Sequence, residues 1–460
     1  MQRVVWEKRG AVVSRRVFLA GASAALAGCA QVQYDAPLAV APGRFDANAP
    51  ARADRAEGWW RAFRDSQLDA LIAAGAARNL DVLQAVAAID EARANAGLAR
   101  ASDLPQLAGS ASATHGNPQG AGMSNTSTVG LGSSWMLDLF GANRANRKAA
   151  AARLDAAYLS ADVARLTMQQ AIAQAYAELR FQQASIALTR RSIESRKRSL
   201  ELTRAQVDSG AAGRLELLQA EQLVAEGEAQ LPAFETGFDQ ALVQLASLTA
   251  QTVSSLRPSL QRGAPQPVPH YRASVGVPAD VLRVRPDVQM AERLYAASVY
   301  DIGVAKAAFF PSVTLTGSIT PTRVHDTTSI TPWTLGPALD LPIFTGGANR
   351  ANLRGAEARA LEAKLAWEAA VLNAIDEVET ALAAYTRDGR NIAAQRHLVD
   401  TSSETLELSR TNYSLGQGDF MTVLDAERTY LSAQQGLAQA QAQRAAHYIT
   451  LSVAAAGAPN

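Results

Sequence analysis

The chain has 460 residues, of which 48% are hydrophobic, 19% charged and only 6% aromatic, with a formal net charge of +1. This balance marks a folding chain rather than a disordered one and leaves no electrostatic footprint for nucleic acid. Its one cysteine, Cys29, rules out an internal disulfide and a cysteine-based metal centre, and its five histidines are too scattered to act together as ligands. No metal site and no catalytic residue is expected.

Residues 14–29 read SRRVFLAGASAALAGC: a basic region, an apolar stretch too short to span a bilayer comfortably, and the cysteine. Leu26-Ala27-Gly28-Cys29 resembles a lipoprotein lipobox, which implies a signal peptide over 1–28, a covalent lipid on Cys29 and no other cofactor. Ser14-Arg15-Arg16-Val17-Phe18-Leu19 fits either a twin-arginine export signal or an ordinary basic n-region. By the same resemblance, Ala30 after the cysteine favours sorting to the outer membrane. Beyond it no run of 18 apolar residues occurs, so any membrane crossing has to be made by β-strands.

The chain is an internal duplication. Gly141-Ala142-Asn143-Arg144-Ala145-Asn146 recurs at 347–352, an offset of 206 that also pairs Asp81 with Asp287, Pro105 with Pro311 and Gly210 with Gly416. The expected organisation is an extended segment at 29–61, a first repeat at 62–256, a Pro-rich linker at 257–286 and a second repeat at 287–460. Each repeat reads as a helical stretch (62–103; 287–309), two strands (about 105–116 and 126–140; about 311–321 and 330–343), and a helical hairpin (141–208 with 214–250; 347–414 with 420–455). At ~1.5 Å per residue the long helices measure on the order of 100 Å. Leu361, Leu365, Leu372, Ile375 and Leu382 follow coiled-coil spacing. Glycines relieve the left-handed turn at each hairpin end.

The strands alternate with period two: Val313, Leu315, Gly317 and Ile319 against Thr314, Thr316, Ser318 and Thr320. Runs of about ten such residues mark membrane β-barrel strands. Four strands cannot close a barrel, and lipid tolerates no open edge. Two chains supply eight strands, a number whose interior side chains fill, so a duct favours three chains and twelve strands.

Trp59-Trp60, Phe63, Asp65 and Leu68, then Asn79-Leu80-Asp81, open a longer pattern. It continues with Pro278-Ala279-Asp280-Val281-Leu282, Arg285-Pro286-Asp287, Gly303-Val304-Ala305-Lys306-Ala307, Leu341-Pro342-Ile343-Phe344 and Val423-Leu424-Asp425-Ala426. Together these resemble TolC-type outer-membrane factors of the NodT-like lipoprotein branch. The resemblance implies an α+β membrane protein whose trimer forms a 12-stranded β-barrel and a periplasmic 12-helix α-barrel. It implies a passive exit duct that receives substrate from an inner-membrane pump (RND, ABC or MFS type) through a periplasmic adaptor.

On this reading Asp425 is the aperture candidate, since three copies on a threefold axis repel one another and attract cations. Gly210, Ala211, Gly213, Gly416, Gln417 and Gly418 are the adaptor-docking tips. Asp138 and Asp340, beside strand ends, are lumen candidates. The competing readings are a lipid-anchored structural coiled coil and a periplasmic enzyme; the strands count against the first, and the absence of any nucleophile–base spacing against the second.

Overall fold

A computed structural model describes residues 32–38, 58–116, 123–270, 282–324 and 329–455. The signal peptide and Cys29 lie outside the described residues. Helices α1 (Ser66–Arg78) and α2 (Leu80–Ala101) precede strands β1 (Gln106–Gly116) and β2 (Ser124–Leu137). Helices α3 (Ala142–Asp208), α4 (Arg214–Leu248) and the short α5 (Val253–Leu260) follow. The second half runs α6 (Pro286–Ala307), β3 (Ser312–Ile319), β4 (Thr322–Val324), β5 (Trp333–Asp340), α7 (Ala348–Ser414) and α8 (Phe420–Ala455). The 206-residue offset carries α2 onto α6 and α3 onto α7 residue for residue.

The repeats are units of sequence, not of packing. One unit gathers Glu91–Leu154 and Arg293–Leu365 with the N-terminal segment; the other gathers Pro37–Asp90, Asp155–Glu292 and Ala366–Asn460. Each draws on both repeats because strands of one repeat pair with strands of the other, as do the helices.

The first unit holds a single antiparallel sheet in the order β1-β2-β3-β5, with β4 also paired to β2. Register places apolar side chains in rows on one face: Leu131 opposite Ile319 opposite Trp333, Trp135 opposite Leu315, and Leu137 opposite Val313 opposite Leu339. The other face carries Ser134, Thr316, Ser318 and Thr334. The apolar face is bare: Val129 is 62% exposed, Trp333 72%, Leu335 70% and Leu339 68%. The strand expected at 311–321 splits at Pro321, which has no N–H for the ladder, and resumes as β4.

The repeated GANRAN motif is the hinge between sheet and helix. Gly141 and Gly347 sit at φ 84° and 89°, the left-handed region that glycine enters without steric cost. Two residues on, Asn143 Nδ2 donates to the Ser102 carbonyl at 3.0 Å, and Asn349 Nδ2 to that of Ala308 at 2.7 Å. Each asparagine thus ties the start of a long helix to the turn that precedes a strand. Val32 approaches Gly303 and Tyr34 packs on Tyr295 and Tyr300, so the N-terminal segment lies along α6.

The helical unit has a large core that includes Trp59, Phe63, Leu68, Ile172, Leu179, Leu242, Leu245, Leu382 and Leu451. Burying a side chain of this kind fully is worth roughly 1.5–3 kcal/mol. The helical stretch expected over 62–103 breaks at Asn79, whose extended backbone ends α1 and whose side chain accepts from the amides of Asp81 and Val82. Asn79 Nδ2 also reaches the Leu248 carbonyl at 2.9 Å. By length and hydropathy Ser66–Ala101 qualifies as a membrane span. That break, and the burial of Leu68, Leu71, Ile72 and Val82 in the core, make it a packed helical pair instead.

The leucine seam of α7 needs correcting. Leu361, Leu365 and Leu372 are more than half exposed, and only Leu382 is fully buried. The chain buries the opposite stripe, Ala360, Trp367, Val371, Ala374 and Val378. Those leucines are therefore free to meet another copy.

Candidate functional site

The two hairpin ends are built alike. After α3, Gly210 at φ 76° turns the chain and the Ala211 amide donates back to the Gln206 carbonyl at 2.8 Å. After α7, Gly416 at φ 70° does the same, with the Gln417 amide on the Asn412 carbonyl at 2.9 Å. These are Schellman caps, which satisfy the last helical carbonyls. The return helices are started by acids: the Glu216 carboxylate accepts from the Gly213 amide at 3.0 Å, and Asp419 accepts from the Met421 amide at 3.2 Å. Gly210, Ala211, Gly213, Gly416, Gln417 and Gly418 are all exposed.

Just inside these turns the hairpins pack on each other through Leu200, Leu223, Leu406, Phe420, Val423 and Leu424. Asp425 stands between two buried residues of α8, Leu424 and Ala426, yet is itself exposed. Its carboxylate is therefore on the face turned away from the partner hairpin. Gln219, its counterpart in the first repeat, is half-buried.

Sequence reasoning missed a polar network behind this apolar cluster. Glu427, buried on α8, forms an ion pair with Arg410 and accepts from Ser199 Oγ at 3.3 Å. Arg410 also donates to Ser195 Oγ at 2.6 Å, and Tyr413 donates to Gln206. Buried Arg196 donates to the Leu223 carbonyl at 2.7 Å. Burial pushes its guanidinium below the usual arginine value, against the pull of Glu427 and Glu226. Beside the network a groove of about 450 Å³ is lined by Arg198, Arg410, Ser195, Ser199 and Tyr413. The only signal in sequence was the repeated Ala-Glu pair at 220–221 and 426–427.

Asp138 has a role inside the chain that was not expected. Its two carboxylate oxygens accept from the amides of Asn143 and Arg144 at 3.2 and 2.9 Å, capping α3. Asp340 is exposed at the end of β5, in register with the hydroxyl-bearing face of the sheet. Among the described residues no group of three or more His, Cys, Asp or Glu is placed to hold a metal.

An open sheet with one bare apolar face, in a chain of long helical hairpins with exposed glycine turns, defines a membrane channel subunit. A family model described as outer membrane efflux protein matches residues 71–251 and 277–457, two stretches displaced by the same 206 residues. The chain belongs to that family. It is 39% identical over 405 residues to nodulation protein T of Rhizobium leguminosarum bv. trifolii, covering 86% of each chain. It is 30% identical over 458 residues to the cation efflux system protein CusC of Escherichia coli, covering 94% of this chain and 96% of that one. Among solved structures, the outer-membrane channel OprN matches with a TM-score of 0.86 at 29% identity, over 93% of this chain and 99% of that one. The fold is that of trimeric channels made of a β-barrel and a periplasmic helical barrel. The protein is an outer-membrane channel component of an efflux system, a duct and not an enzyme.

Proposed function

We propose that three copies of this chain close the sheet into a twelve-stranded barrel and form the exit duct for a periplasmic adaptor and an inner-membrane pump of RND, ABC or MFS type. The observation that carries this reading is the four-stranded ladder, whose outer strands β1 and β5 are unpaired on one side while its apolar face is exposed. Neither edge survives in lipid unless another copy pairs with it. The exposed leucines of α7 supply a second contact between copies.

Within that assembly, Asp425 rings the periplasmic aperture and the glycine-rich tips take the adaptor's helical hairpins along the groove beside Arg198 and Arg410. Asp340 faces the lumen, and Asp138 lies near it in its capping role. A lipid on Cys29, after removal of residues 1–28 by either export route, anchors the chain. The packing of Val32 near Gly303, nine residues before β3, supports an anchor close to the barrel.

Native mass spectrometry of the detergent-solubilised mature protein tests the assembly. A three-copy, lipid-bearing species is expected, and a well-folded monomer or dimer overturns the closed barrel.

A further inference from the structure

We propose that four basic side chains, one at each helix–strand junction, bind the phosphate headgroups of anionic phospholipids in the periplasm-facing leaflet of the outer membrane. The proposal rests on the outer-membrane reading above. The four are Arg100, Arg144, Lys306 and Arg350, all exposed and all in the sheet-bearing unit. Each lies within ten residues of a strand end: before Gln106, after Leu137, before Ser312 and after Asp340.

Three observations set these cations apart. None makes an ion pair among the described residues, whereas nearby Arg147 pairs with Asp103 and Arg153 with Asp301. The same 206-residue offset relates Arg100 to Lys306 and Arg144 to Arg350, so both repeats keep a positive charge at both junctions. Neighbouring charges drifted: Asp103 is matched by Phe309, Asp138 by Phe344 and Arg147 by Leu353. Finally, apolar side chains stand exposed between the cations and the strands, including Leu104, Leu139, Phe309, Phe310, Ile343 and Phe344. An apolar and aromatic collar followed directly by cations is the pattern of a bilayer boundary, where rings sit at headgroup level and Lys or Arg reaches phosphate. Three chains carry twelve such charges beside their strand ends.

The test reconstitutes the mature trimer in nanodiscs of phosphatidylethanolamine with a minor share of phosphatidylglycerol, then counts co-released lipid by native mass spectrometry. The wild type is expected to retain phosphatidylglycerol above its share of the disc, by roughly five-fold per occupied contact. The R100Q/R144Q/K306Q/R350Q variant is expected to fall to the disc ratio, and R100K/R144K/R350K to keep the enrichment. If the quadruple variant does not trimerise, R100Q/K306Q and R144Q/R350Q are read separately, each losing part of the enrichment. Equal enrichment in wild type and charge-removed variants overturns the proposal. So does displacement of the lipid by added inorganic phosphate, or a change in the channel's ion selectivity without a change in lipid, which places the cations in the duct. Wild type that inserts without enrichment overturns this proposal alone. Wild type that inserts in no bilayer overturns the channel reading with it.

Discussion

Tyr176 donates a 2.5 Å hydrogen bond to Asp65 Oδ2, and Arg180 donates to the same phenol at 2.9 and 3.0 Å. Burial, reinforced by the bond to Asp65, pushes the phenol well above its ordinary value. The fold therefore favours the neutral phenol, while the unfolded chain releases that proton near pH 10. The resulting stability is fully present below about pH 10 and is lost as the pH rises through the folded value. Denaturant titrations above pH 10 should fall more steeply for wild type than for Tyr176→Phe, by up to about 1.4 kcal/mol per pH unit. The Asp138 cap makes a separate prediction. Asp138→Ala should cost about 1 kcal/mol, read as a lower unfolding temperature, and Asp138→Asn, which keeps only one of the two acceptor oxygens, should lose part of that.

Several motifs that pointed to the family are fastenings at the ends of elements. Asp65 caps α1, Asn79 caps α2, and Arg285 grips Asp287, Glu377 and the Ala454 carbonyl, binding the start of α6 to α7 and α8. Caps sit at fixed offsets from helix starts, yet the unbroken helix expected over 62–103 passes over Asn79, whose tie to the Leu248 carbonyl lies 169 residues away. The Gly210 and Gly416 turns belong to the same class. Replacing either with valine forces a β-branched residue to positive φ, at roughly 1–2 kcal/mol. The effect should stay local: limited proteolysis at that turn should increase while the global unfolding temperature barely moves. A large drop in that temperature would mean the turns hold more than the hairpin ends.

At the level of the whole molecule, the exposed carboxylate of Asp425 matters only when copies meet. Single-channel conductance in planar bilayers should show cation-preferring openings that widen and lose that preference in Asp425→Ala, because three carboxylates on one axis attract cations and narrow the opening by their bulk. Unchanged openings would keep the duct and move the constriction elsewhere. The ion pair of Arg410 with buried Glu427 is a different matter: it ties α7 to α8 within one hairpin, and Ser195 and Ser199 of α3 link it to the other hairpin of the same chain.

The sequence by itself determined what is periodic or repeated: the duplication, the alternating strands, the long helices and the glycine turns. Period two and the 206-residue offset are local in pattern, so they survive without coordinates. Tertiary structure decided what depends on which face meets which. It turned the Leu361, Leu365 and Leu372 stripe outward because another side of α7 packs Trp367, Val371 and Ala374 against Leu282 and Val288. It gave Asp138 to a helix start rather than leaving it unengaged, and it brought Arg196, Arg410 and Glu427 together from three helices. Such convergence joins residues hundreds of positions apart, and no spacing rule along the chain encodes it.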